Sequence, residues 1–181
     1  DGAVQHLPGE QVVANKRVGL VTGAATGIGR SAAVALARAG FDVAINYSRS
    51  EAAAKQTEAQ ARQAGAQTLL VKCDVSDEAG VRAMIDAIGT RFGRLDVLVN
   101  NAGGNFAAQN EYEPDIFERA VRVNLLSAYR MAHACRPKLA ASQLPGGASV
   151  IGIASMTSYF GVEVVPPVQG SDNGALKPLA C

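Results

Sequence analysis

The densest cluster of chemistry-bearing residues is the run TGAATGIG at 22–29, where glycines at 23, 27 and 29 join an apolar segment to a helical pattern. Gly23 permits a tight turn, Gly27 lets the backbone approach a diphosphate, and Gly29 lets the helix pack closely on the strand before it. Free N–H groups at the helix start attract phosphate oxygens. Thr26 and Ile28 flank Gly27 and are read with it as ligand-lining residues. A glycine-rich turn without a ligand is the bland alternative, and the strand before and helix after the run argue against it.

About 20 residues beyond such a loop, an acid at the end of the second strand would accept the hydroxyls of an adenosine ribose. Here the chain reads Asn46, Tyr47, Ser48, Arg49, and the nearest acid, Asp42, begins that strand instead of ending it. With no carboxylate to repel a 2′-phosphate, and with Ser48 and Arg49 placed to hold one, NADP(H) is expected in preference to NAD(H). The competing reading makes Arg49 a solvated surface charge.

These residues need elements to hold them. From Arg17 the chain alternates short apolar runs with helical patterns: RVGLVTG then IGRSAAVALARAG, FDVAINY then SEAAAKQTEAQARQAG, TLLVKCD then SDEAGVRAMIDAIGTRFG, and LDVLVNNAG then a long helix. Repeated β–α units of this kind predict an α/β fold, a Rossmann-like doubly wound parallel sheet. Val81, Met84, Ile85 and Ile88 trace one helix face, with Ser76 as the expected cap and Asp77 and Glu78 in the first turn. The fourth helix is expected from about 114 to about 141, with Pro137 a candidate kink, and ASVIGIAS supplies a fifth strand. The domain is assigned to 17–166, preceded by an N-terminal extension at 1–16 and followed by an irregular, divergent tail at 167–181 that is rich in Pro, Gly and polar residues.

Bulk properties narrow the classes. With 181 residues, 48% of them hydrophobic, the chain has the material for one domain with a substantial core. A formal net charge of +1 gives no general electrostatic reason to expect nucleic acid or an anionic membrane as partner. No apolar run is long enough to span a bilayer and the first residues lack signal-peptide character, so a soluble, cytoplasmic protein is expected. Cys73, Cys135 and Cys181 lack metal-type spacing and read as buried or incidental thiols, with no metal site.

Five ordered segments together resemble the short-chain dehydrogenase/reductase family: TGAATGIG, then CDV at 73–75, NNAG at 100–103, VNL around Asn124, and IAS ending at Ser155. The resemblance implies that Asp74, followed by Val75, lines the adenine, and that Asn101, Ala102 and Gly103 line the cofactor. It also implies that Asn124 and Ser155 are the catalytic asparagine and serine. The implied reaction interconverts a ketone and a secondary alcohol by hydride transfer on a small-molecule carbonyl or alcohol substrate. Family members are often tetramers, which makes a homo-oligomer an expectation.

One part of the family pattern is missing. A tyrosine phenol normally exchanges the substrate proton, and a lysine four residues later lowers its pKa. The family's usual spacing from Ser155 puts these on Val168 and Asp172, and no Tyr-x-x-x-Lys occurs in the sequence. Tyr159 follows Ser155 too closely and has Glu163 where the lysine would stand. The resemblance fades after Pro166, so the sheet is expected to be incomplete on its C-terminal side and the chain impaired in catalysis. An altered reading frame, truncation and true divergence remain open, as does the alternative of a non-catalytic NADP(H)-binding module or a truncated product with no function of its own.

Overall fold

The structure, a computed structural model, describes residues 16–104 and 113–154. Five parallel strands, β1 (Val18–Val21), β2 (Asp42–Tyr47), β3 (Thr68–Lys72), β4 (Val97–Asn100) and β5 (Ser149–Gly152), form one sheet in the order β3-β2-β1-β4-β5. The register sets Leu20 of β1 between Ala44 of β2 and Leu98 of β4. β1 and β2 are buried along their whole length. Continuous apolar runs, with no in–out alternation, are what burial on both faces demands.

The helices divide between the two faces. α1 (Gly27–Arg38) and α2 (Glu51–Gln63) cover one side, where Ala33, Ala37 and Ala61 pack with Val21, Val43, Ile45 and Val99. The other side receives α3 (Glu78–Phe92) and the C-terminal part of the fourth helical segment. There Val81, Met84, Ile85 and Ile88, the stripe expected from sequence, meet Leu20, Leu98, Met131 and Leu139. Small alanines on the α1–α2 side bring helices close to the sheet. The first connections run outward from β1 to β3 and the next crosses back to β4, so a crevice opens where β1 and β4 end side by side.

One local expectation is refined and another corrected. The helix expected from about 114 to about 141 consists of α4 (Pro114–Val121), a π-helical turn at Arg122–Leu126, and α5 (Ser127–Ala140). α5 runs through Pro137, and the α pattern is interrupted at the π turn. The cap of α3 is Asp77, whose side chain accepts from the Ala79 N–H, because Ser76 is already engaged with Asp74. Cys73 and Cys135 are buried free thiols; Cys181 lies outside the described residues. No described helix is long and apolar enough to cross a membrane.

Candidate functional site

The glycine run forms the turn from β1 into α1, at the C-terminal edge of the sheet. Gly23 takes a φ of 62°, a left-handed conformation that side chains resist, and a Cβ there would lie 3.0 Å from the Ala102 backbone. Gly27 is also left-handed, with a φ of 56°, but its Cβ direction meets nothing within 4 Å. One glycine faces the protein and the other faces open space. A Cβ on Gly29 would lie 2.5 Å from the Gly23 carbonyl oxygen and run into Asn101, as close helix–strand packing requires.

Hydrogen bonds hold this turn from both sides. Thr22 Oγ1 accepts from the N–H groups of Asn101 and Ala102 at 3.0 and 2.9 Å, and Asn101 Nδ2 donates to the carbonyls of Thr22 and Gly23 at 2.8 and 3.2 Å. From the β2 side, Asn46 Oδ1 accepts from Gly23 N–H at 3.2 Å while its Nδ2 donates to the Cys73 carbonyl at 2.9 Å. Thus Asn46, at 1% exposure, ties the glycine turn to the end of β3. Sequence reading took Asn46 only as a place where an acid was missing. The signal was available, since an amide in the apolar run DVAINY has to find partners when buried.

The start of α1 leaves its N–H groups without a side-chain cap. Thr26 is its N-cap in extended conformation, makes no side-chain cap bond, and is followed by no acid in the first turn. The positive end of the helix is left without compensation from its own side chains. Thr26, Gly27 and Ile28 are all exposed, Ile28 at 63%, and an apolar side chain so placed suits cover by a ligand. A diphosphate fits these donors and the open side of Gly27.

The ends of β2 and β3 frame the next part of the crevice. Tyr47 is buried against Ala25 and Ala54, behind the loop, whereas Ser48 and Arg49 are exposed. Asp74 Oδ1 accepts from Ser76 N–H at 2.9 Å and from its hydroxyl at 2.7 Å. The Ser76 N–H holds the Asp74 carboxyl below the ordinary carboxylate range against partial burial, with help from the Ser76 hydroxyl and the charges of Arg119 and Arg49. Arg49 and Asp74, read separately in the sequence, therefore share one electrostatic neighbourhood. Val75 beside them is buried in the core.

On the β4 side, Asn124 sits buried in the π turn and grips the peptide beyond the NNAG segment. Its Oδ1 accepts from Gly104 N–H at 2.8 Å and its Nδ2 donates to the Gly104 carbonyl at 3.0 Å. A Cβ on exposed Gly103 would lie 3.0 Å from Asn124 Oδ1, so a larger residue there would press on the Asn124 amide. Asn100 donates from Nδ2 to the Ala128 carbonyl at 3.3 Å, and its buried Oδ1 has no hydrogen-bond partner among the described residues. Hydrogen bonds through Thr22 thus join Gly23 to Asn101 and Ala102, while Asn124 holds Gly104 farther along the same segment. Ser155, Tyr159, Val168 and Asp172 lie outside the described residues.

Comparisons with known proteins bear on the family and the fold. The family model described as short chain dehydrogenase matches residues 17–171. L-rhamnose 1-dehydrogenase (NAD(P)(+)) from Sphingomonas sp. is 37% identical over 145 residues, covering 80% of this chain and 56% of that protein. A crystal structure of a Burkholderia xenovorans protein described as a short-chain dehydrogenase/reductase superposes with a TM-score of 0.80 at 34% identity, covering 90% of this chain and 67% of that one. A 7α-hydroxysteroid dehydrogenase, solved with NADH and 7-oxo glycochenodeoxycholic acid, superposes with a TM-score of 0.71 at 28% identity, covering 80% and 55%. The chain spans little more than half the length of the rhamnose dehydrogenase it matches.

Proposed function

The chain belongs to the short-chain dehydrogenase family, and on that basis we propose that it is an NADP(H)-dependent oxidoreductase scaffold for interconverting a ketone and a secondary alcohol on a small-molecule substrate. The observation that carries the reading is the glycine turn, locked by Thr22, Asn46 and Asn101 while the open side of Gly27 and the uncapped start of α1 face outward. A bound nicotinamide would supply or accept the hydride.

The chain's own residues do the rest. N–H groups at 26–28 hold the diphosphate, Asp74 accepts from the adenine beside Val75, and Ser48 and Arg49 beyond Tyr47 hold a 2′-phosphate in a crevice end that has no acid at the close of β2. Asn124 keeps Gly103 and Gly104 in place as the wall beside Asn101 and Ala102. Ser155 takes the role of hydrogen-bonding the substrate oxygen. The group that would exchange the proton has no counterpart in Val168 or Asp172, so these 181 residues alone should turn over about 10²–10⁴ times more slowly than a complete family member.

Isothermal calorimetry on the folded chain tests the binding: NADPH should bind at least tenfold more tightly than NADH, about 1.4 kcal/mol. Absence of heat with either would overturn it. The missing Tyr-x-x-x-Lys favours a second reading, a nucleotide-binding module without catalysis, for which tight NADPH binding without ketone reduction is the expected result. An incomplete product without function of its own would show neither binding nor cooperative unfolding. Ketone reduction at a rate ordinary for the family would refute the impairment. β5 pairs only with β4 among the described residues and exposes Val150 and Ile151, which supports a homo-oligomer; a monodisperse monomer in light scattering would contradict it.

A further inference from the structure

We infer that Arg30, backed by Thr57, is a positioning residue that sets the direction of the Thr26 N–H toward the diphosphate, an inference that rests on the nucleotide-binding reading above. The Ala25 carbonyl oxygen is the focus of three donors. Arg30 reaches it through Nη2 at 2.8 Å and Nε at 3.2 Å, and Thr57 Oγ1 lies 3.2 Å away. The same guanidinium reaches the Ala53 carbonyl at 3.2 Å, Thr57 Oγ1 at 3.1 Å and Gln56 Oε1 at 3.4 Å, all on α2.

The consequence follows from the geometry of one amide. The Ala25 carbonyl and the Thr26 N–H belong to the same peptide plane, and in a trans peptide they point in opposite directions. Drawing the oxygen toward α2 therefore turns the N–H away from α2. It also removes from the anion's surroundings an oxygen that would repel phosphate. Buried Ala25 and exposed Thr26 show the same division between an anchored and a free side.

Arg30 is suited to this by its fork. Its planar guanidinium serves the loop and α2 at once, which the single ammonium of a lysine does in no fixed geometry. Among the described residues Arg30 forms no ion pair, so a general electrostatic attraction for the diphosphate is the competing explanation. Arg30→Lys separates the two, because it keeps the charge and loses the fork.

The test compares two probes on chains checked for cooperative unfolding. NADPH contains the diphosphate; adenosine 2′-monophosphate carries the adenine, ribose and 2′-phosphate without it. Arg30→Lys and Arg30→Gln should each weaken NADPH binding about tenfold. Thr57→Val, a milder change that keeps the shape of a buried side chain, should weaken it about threefold. Binding of the monophosphate should change by less than about twofold, since a general loosening of the crevice would move both probes. Full NADPH affinity in folded Arg30→Lys or Thr57→Val, or equal weakening of both probes, overturns the inference. Failure of the unsubstituted chain to bind NADPH overturns the underlying reading itself.

Discussion

At the scale of single residues, the crevice separates groups that face a ligand from groups that hold those in place. Arg49 and Asn46 are neighbours in sequence and show the difference. Arg49 is exposed and within electrostatic reach of Asp74, while Asn46 is buried and spends its amide on Gly23 and Cys73. Arg49→Ala should raise the NADPH dissociation constant about tenfold or more and leave NADH binding nearly unchanged, because only the former carries the 2′-phosphate. Equal effects on the two cofactors in a titration would restore Arg49 to an ordinary surface charge. Asn46→Ala should act differently, costing about 1–3 kcal/mol in urea unfolding by stranding buried polar groups of the backbone. Loss of cofactor binding would then follow from a loosened turn. A variant as stable as the parent would show that Asn46 is dispensable to the sheet edge.

At the scale of elements, the π turn at Arg122–Leu126 carries the most specific consequence. It places Asn124 inward, where the side chain makes two hydrogen bonds to Gly104. Asn124→Ala should free that peptide while leaving the strand ladders intact. Hydrogen exchange at the Gly104 amide should accelerate by about tenfold or more, with β1 and β4 amides unchanged; unaltered Gly104 protection would refute the assignment. Much of this level was legible from the residues alone. The alternation of apolar runs and helical stripes marks each β–α unit because parallel strands are buried on both faces, and the Val81–Met84–Ile85–Ile88 stripe packs where its period requires. The π turn was not legible, since a shift from i→i−4 to i→i−5 bonding requires no particular residue type. Nor was the choice of Asp77 over Ser76 as the cap of α3. Both side chains suit the role, and the decision rests on Asp74 taking both the N–H and the hydroxyl of Ser76. The tight turn at Gly23 and the close packing at Gly29 were legible; the partners that lock the turn were not, since Asn46 and Thr57 come from segments that only folding brings to it.

At the scale of the whole molecule, the crevice occupies one end of the sheet and a buried ion pair secures the other. Asp96, fully buried just before β4, accepts from Val18 N–H at 2.9 Å, from Arg94 Nε and Nη2 at 2.8 and 2.7 Å, and from Ser142 Oγ at 2.6 Å. One carboxylate thereby ties the start of β1, the entry to β4 and the turn after α5. Burial by itself would raise its pKa, but the hydrogen bonds from Arg94, Ser142 and Val18 outweigh it and leave the carboxyl below the ordinary range. The sign of the pH effect follows. A group whose pKa is lowered by folding contributes its full stability above the unfolded value, about 3.9 for aspartate, and loses it as the pH falls through the folded value. Urea unfolding should therefore show stability declining as the pH drops below about 5, with Asp96 among the groups responsible. Asp96→Asn keeps the shape but leaves the Arg94 guanidinium without its countercharge, and should cost about 3 kcal/mol at pH 7. Between about pH 5 and 2 the variant's stability should vary less steeply than the parent's, because the titrating group is gone. Parallel pH profiles for the two chains would mean that the acid sensitivity resides elsewhere and that this anchor does not set the stability of the sheet that holds the crevice open.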